Sequence, residues 1–143
     1  MDKEMTPFDN AELQKVPMCV HIPGYGKGKV MDELSGQLDL RPTILHLLGI
    51  DTKADMQFGS DVFSPDHEPF VIFRDGRFVT DKNIYTQEVC YDIETGEPTD
   101  EAQCEPYVER ATTELNYSDT VINGDLLRFK DQKDGSPEMK ERE

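Results

Sequence analysis

Positive charge is scarce in this chain. Its 15 Lys and Arg face 30 Asp and Glu, a formal net charge of −15 with His neutral. Such a surface repels nucleic acid and anionic membranes, and no basic stripe with interleaved aromatics offsets it, so nucleic acid is not an expected partner. Long apolar runs are missing too. None approaches the ~20 residues of a membrane-spanning helix, and the opening MDKEMTPFDN is too polar and acidic for a signal peptide. If the chain is part of an exported parent, the targeting segment is expected elsewhere in that parent. Cysteine is sparse, with three residues at spacings that contain no C-x-x-C, and no paired-His spacing accompanies them, which argues against a zinc site. Cys19 lies in the apolar run VPMCVHI and reads as a reduced core thiol. Cys90 and Cys104 flank a turn-rich segment. An oxidising exterior would permit them to pair if the chain doubles back, but spacing alone leaves that open.

Motifs of catalysis are equally thin. There is no G-x-S-x-G around Ser35, and GYGKGK lacks the spacing of a phosphate-binding P-loop and the helix that should follow it, so it reads as a plain loop. Asp66, His67 and Glu68 are adjacent and all of metal-ligand type, but ligands need distant partners, and the expectation is an exposed loop that binds no metal. His46 reads as a partnered or half-exposed helix residue, and His21 as a packing or supporting one. No catalytic, cofactor-binding or metal-binding residue is therefore assigned in this chain.

What is present is local structure with clear punctuation. At 143 residues the chain suits one domain, or one domain plus a fragment. Residues 16–22 are apolar and bounded by Pro17 and Pro23, the pattern of a short strand buried on both faces. A helix follows. Asp39 is placed as its N-cap, Pro42 falls in its first turn, and Gly49 suits the left-handed position after its end. Leu40, Ile44, Leu47 and Leu48 form one apolar stripe along it. FVIFR and RFVT, separated by Asp75-Gly76, predict a hairpin with a type I′ turn. NIYT and EVCYDI extend it to a meander of three or four antiparallel strands with one polar face. From about residue 100 the spacing of Tyr107, Val108, Ala111, Leu115, Val121, Ile122, Leu126, Leu127 and Phe129 predicts helix, with a break near residues 116–118. Residues 131–143 have almost nothing to bury and predict a flexible acidic tail.

These residues carry a resemblance. SGQLDLRPTILHLLGIDT, with VHIPG upstream and FGSDVFS, FRDGRFVTDKNIY and SDTVINGDLLRF downstream, resembles the C-terminal part of the lipoteichoic acid synthase family. These are sulfatase-like members of the alkaline phosphatase superfamily. The helix motif with Asp39, Pro42, Thr43 and Gly49 is shared widely among sulfatases, whereas FRDGRFVT and SDTVINGDLLRF point more narrowly to the synthases. KEMTPF resembles the segment just after the family's metal-binding Asp-His motif. The three cysteines and the short acidic tail depart from the pattern.

The resemblance implies an α+β chain that is a C-terminal fragment of an alkaline phosphatase/sulfatase-like α/β fold, with a small antiparallel meander and a C-terminal helix. Residues 1–65 would end the α/β domain, its strand joining the large central sheet and its helix packing on that sheet. Residues 66–130 would form the small sheet-and-helix subdomain. The implied parent is a membrane-anchored enzyme working on the extracellular face of the cell membrane, transferring glycerol phosphate from phosphatidylglycerol to a polymer. Its threonine nucleophile and its manganese or magnesium ligands would lie before Met1, and Asp66-His67 follows the helix where the family's metal motif precedes it. The implied partner of this chain is the remainder of that catalytic domain, with self-association through exposed apolar faces a further outcome. Two alternatives differ in class: a self-contained acidic interaction module, and the tail of another sulfatase-fold phospho- or sulfo-ester hydrolase.

Overall fold

The structure, a computed structural model, describes residues 5–50 and 57–129. It opens with a helix that the apolar spacing did not predict, α1 (Pro7–Glu12). Its start is nonetheless written in the sequence. The Asp9 amide donates to Thr6 Oγ1 at 3.1 Å and the Thr6 amide donates back to the Asp9 carboxylate at 2.8 Å. This reciprocal pair satisfies two amides with no intrahelical partner, and Pro7 sits where a missing N–H costs nothing.

Residues 16–22, expected as a buried strand, form none. Val16 is 80% exposed, and Met18, Val20 and Ile22 are exposed beside it. Cys19, expected in a core, is exposed as a free thiol. His21, expected in a packing or supporting role, is exposed as well. One physical reason covers all three corrections. An apolar strand gains its burial and its hydrogen bonds from neighbouring strands, and among the described residues none lies alongside.

A 3-10 turn (Gln37–Asp39) runs directly into α2 (Leu40–Leu47). Because of that continuity Asp39 has helical backbone angles and its side chain does not cap α2, contrary to expectation. The carboxylate reaches back to the Gly36 amide at 2.8 Å instead. The far end follows its sequence signal. Gly49, at φ +71, donates to the His46 carbonyl, and Ile50 donates to that of Leu45, closing the helix in a Schellman arrangement. The face that α2 buries carries Pro42 and Thr43, while Leu40, Ile44, Leu47 and Leu48 stay exposed.

Four strands, β1 (Phe70–Ile72), β2 (Phe78–Thr80), β3 (Asn83–Thr86) and β4 (Val89–Asp92), pair antiparallel in chain order. The β1–β2 turn differs from the expected type I′. Gly76 alone has positive φ, its amide bonds Phe73 O, and the Phe73 amide bonds Arg77 O, which is a type I turn closed by a glycine bulge. A two-residue turn with positive φ at both central positions does occur, but at Gln87 and Glu88 between β3 and β4.

Neither face of the sheet is polar. The register sets Phe70, Ile72, Phe78, Tyr85 and Cys90 on one side. There they pack with Tyr107, Val108 and Ala111 of α3 (Glu105–Asn123) and with Cys104 just before it. Val71, Val79, Ile84 and Tyr91 occupy the other side, covered by Phe8 and Ala11 of α1 and by Leu34. The expectation of one solvated face fails because α1, the element that covers it, was not foreseen. Helix α3 is continuous through Asn116, Tyr117 and Ser118, so the expected break is absent. Cys90 and Cys104 are joined by a disulfide across a Cα–Cα distance of 5.9 Å. It ties β4 to the start of α3 inside the core. Residues 131–143, expected to be a flexible tail, lie outside the described residues.

Candidate functional site

Four of the polar residues singled out in the sequence, Asp39, His46, His67 and Glu68, fall into three separate clusters. The first gathers around Asp39, which is only 5% exposed. Its carboxylate accepts from the Gly36 amide on one oxygen and from the Ser60 amide, at 2.7 Å, on the other. The approach of the two segments depends on Gly59. A methyl group there would stand 2.4 Å from the Leu38 carbonyl carbon, and φ is +74, so glycine alone fits.

His67 completes this cluster and corrects the expectation of an unpartnered loop residue. Its Nε2 lies 2.9 Å from the Leu34 carbonyl oxygen, and its Nδ1 lies 2.6 Å from Ser60 Oγ. A carbonyl can only accept, so the hydrogen-bond pattern assigns the proton to Nε2 and makes Nδ1 the acceptor of the Ser60 hydroxyl proton. One imidazole thus clasps three segments: the chain entering the Gln37–Asp39 turn, the loop after α2, and the approach to β1. Neighbouring Asp66 is exposed.

A second cluster centres on Arg110. Its guanidinium bonds Glu68 at 2.5 Å and Glu114 at 2.8 Å and lies 4.4 Å from the centre of the Phe70 ring. Desolvation by burial pulls its pKa down, but the hydrogen bonds and charge of Glu114 and Glu68 outweigh this and hold it above its ordinary value. Glu68 therefore fastens the β1 approach to α3. The third cluster is a pair, His46 Nδ1 with the Asp61 carboxylate, on the exposed side of α2. Elsewhere, Asp92 accepts from the Thr95 amide, the Thr95 hydroxyl and the Glu94 amide, which hold its carboxyl below the usual range and fix the turn after β4.

All three clusters join chain segments, and none sets a nucleophile beside a base that a carboxylate orients. Among the described residues no three His, Cys, Asp or Glu side chains converge as a metal-binding set. The manganese or magnesium implied by the resemblance does not fit these residues, and no chemical step is derived through it. Sequence reasoning missed the Ser60–His67 contact because it judged His67 beside its sequence neighbours, whereas its partners lie seven and 33 positions away.

The class defined by this architecture is α+β, consistent with a fragment of a sulfatase-like domain. No family model matches the chain. Curated relatives do. It is 48% identical over 129 residues to the lipoteichoic acid synthase-like protein YvgJ of Bacillus subtilis, covering 88% of this chain and 21% of that protein. It is 42% identical over 131 residues to lipoteichoic acid synthase 2 of the same organism, covering 91% of this chain and 20% of that protein. The lipoteichoic acid synthase of Staphylococcus aureus is 38% identical over 131 residues, 90% of this chain and 20% of the relative. The chain belongs to the lipoteichoic acid synthase family, and it spans about a fifth of the length of the relatives it matches.

Proposed function

We propose that this chain is the non-catalytic C-terminal portion of a lipoteichoic acid synthase-like phosphoglycerol transferase. The parent transfers glycerol phosphate from phosphatidylglycerol to a cell-wall polymer on the extracellular face of the membrane. The observation that carries this reading is the match itself, 38–48% identity over about nine-tenths of this chain but about a fifth of each relative. The clusters around Asp39, His67 and Arg110 then serve to hold loops and the helix α3 in place. The exposed stripe on α2 and the exposed apolar residues 16–22 are the surfaces that the remainder of the catalytic domain covers. The threonine nucleophile and the manganese or magnesium ion belong to that remainder. A buried disulfide supports assembly in an oxidising compartment, as an extracellular site provides. No helix among the described residues is long and apolar enough to cross a membrane.

The test is complementation. A relative deleted for the matching portion is assayed with fluorescent phosphatidylglycerol and manganese, with and without this chain fused in place. The expected result is no turnover by this chain alone, none by the truncated relative, and restored polymer synthesis by the fusion. Metal-dependent turnover by the isolated chain that survives repurification overturns the reading. One observation favours the self-contained module: both faces of the four-stranded sheet are filled from within this chain. That reading predicts a fusion no more active than the truncated relative.

A further inference from the structure

Beside Arg110 lies a cavity of about 630 Å³, between the start of β1, the turn from β2 to β3 and the first turns of α3. Part of its lining is apolar: Pro69, and the rings of Phe70 and Tyr107 stacked 5.8 Å apart. A buried amide lines it too. Asn83, only 4% exposed, donates from Nδ2 to Gln103 Oε1 at 3.2 Å and to the Tyr91 carbonyl at 3.5 Å. That carbonyl can only accept, which orients the amide, and Oδ1 accepts no hydrogen bond among the described residues. A buried acceptor without a donor is costly, so water or a ligand must supply one. Three more side chains at the cavity lack partners. The Tyr107 hydroxyl makes no hydrogen bond, and exposed Asp81 and Lys82 make neither an ion pair nor a side-chain hydrogen bond among the described residues. The other two charges at the cavity, Glu68 and Arg110, are paired with each other.

We propose that this cavity binds a zwitterionic short peptide, of dipeptide size, by both of its termini. The peptide ammonium donates to the Asp81 carboxylate and to Asn83 Oδ1, and its terminal carboxylate accepts from Lys82 Nζ and the Tyr107 hydroxyl. Its apolar side chain lies along Pro69 and the Tyr107 ring. Charge selects this class. With Glu68 and Arg110 paired, one free anion and one free cation remain, so a ligand of either single sign meets a repelling group. An anion is opposed further by the chain's net charge of −15. A neutral sugar would leave both free charges unanswered, whereas a zwitterion answers each. The site is independent of the proposed function, since none of its residues lies on the apolar surface assigned to the remainder of the parent.

The experiment titrates this chain with the dipeptide Ala-Leu, its N-acetyl form, its C-terminal amide and, separately, maltose, following the backbone amide signals of Lys82, Asn83 and Gln103 by NMR. Ala-Leu should shift these signals saturably, and blocking either terminus should weaken binding roughly 10-fold. Asp81 and Lys82 are exposed, so their variants keep the fold. Asp81→Asn should weaken Ala-Leu and the amide but leave the N-acetyl form unchanged. Lys82→Gln should weaken Ala-Leu and the N-acetyl form but leave the amide unchanged. Tyr107→Phe, which keeps the ring, should weaken Ala-Leu roughly 3-fold, and Lys15→Gln, outside the cavity, should change nothing. Absence of saturable Ala-Leu binding, losses that do not follow the matching terminus, or maltose binding as tight as that of Ala-Leu each overturns the proposal.

Discussion

At the scale of single residues, the positions that matter most join distant pieces of chain. Gly59 sits under the Leu38 carbonyl at φ +74, and its successor Ser60 donates an amide hydrogen to buried Asp39 and a hydroxyl hydrogen to His67. A Cβ at Gly59 must push the two backbones apart and strain a left-handed conformation at once. Gly59→Ala should therefore lower stability by about 2 kcal/mol or more, read as a shift in denaturant midpoint. An unchanged midpoint would mean that the loop relaxes freely and that Asp39 does not depend on it. Gly76, whose φ is equally left-handed but whose surroundings are open, supplies a comparison in which only the backbone strain acts.

Among the elements, the parts legible in the sequence were those set by local chemistry. Gly49 ends α2 as its type predicts, the hairpin follows Asp75-Gly76, and the apolar spacing of Tyr107, Val108 and Ala111 marks α3. Helix α1 was missed because six residues are too few for periodicity, although Thr6 and Asp9 carry its capping signal. The positive φ at Gln87 and Glu88 could not be read, since neither residue favours it and the pairing of β3 with β4 imposes it. Cys19 and residues 16–22 were misread because burial depends on neighbours far away in sequence or outside it. The disulfide stayed open for a like reason, as it depends on α3 packing across the face that holds Cys90. With both cysteines almost wholly buried, it should act as a permanent staple. Closing a loop of sequence separation 14 should contribute about 3 kcal/mol. Cys90→Ala/Cys104→Ala should lose about that much in urea unfolding, and wild type unfolded under reductant should match it. A double variant as stable as the oxidised protein would contradict the staple.

For the whole molecule, packing is uneven. The sheet is filled on both faces by α1, α3 and Leu34, and its core is closed by aromatic contacts such as Phe78 with Tyr85 at 4.9 Å between ring centres. Residues 16–22 and α2, by contrast, expose most of their apolar side chains. The central claim is that this second surface belongs against the remainder of a longer enzyme. The measurement that tests it most directly is the stability cost of Leu47→Ala, taken in this chain and again in the fusion with a relative. Leu47 is 37% exposed here. Its truncation should cost this chain under about 1 kcal/mol and the fusion about 2–5 kcal/mol, the range for a leucine in a closed core. Equal losses in the two proteins would mean that α2 gains no partner in the fusion, and would contradict the account.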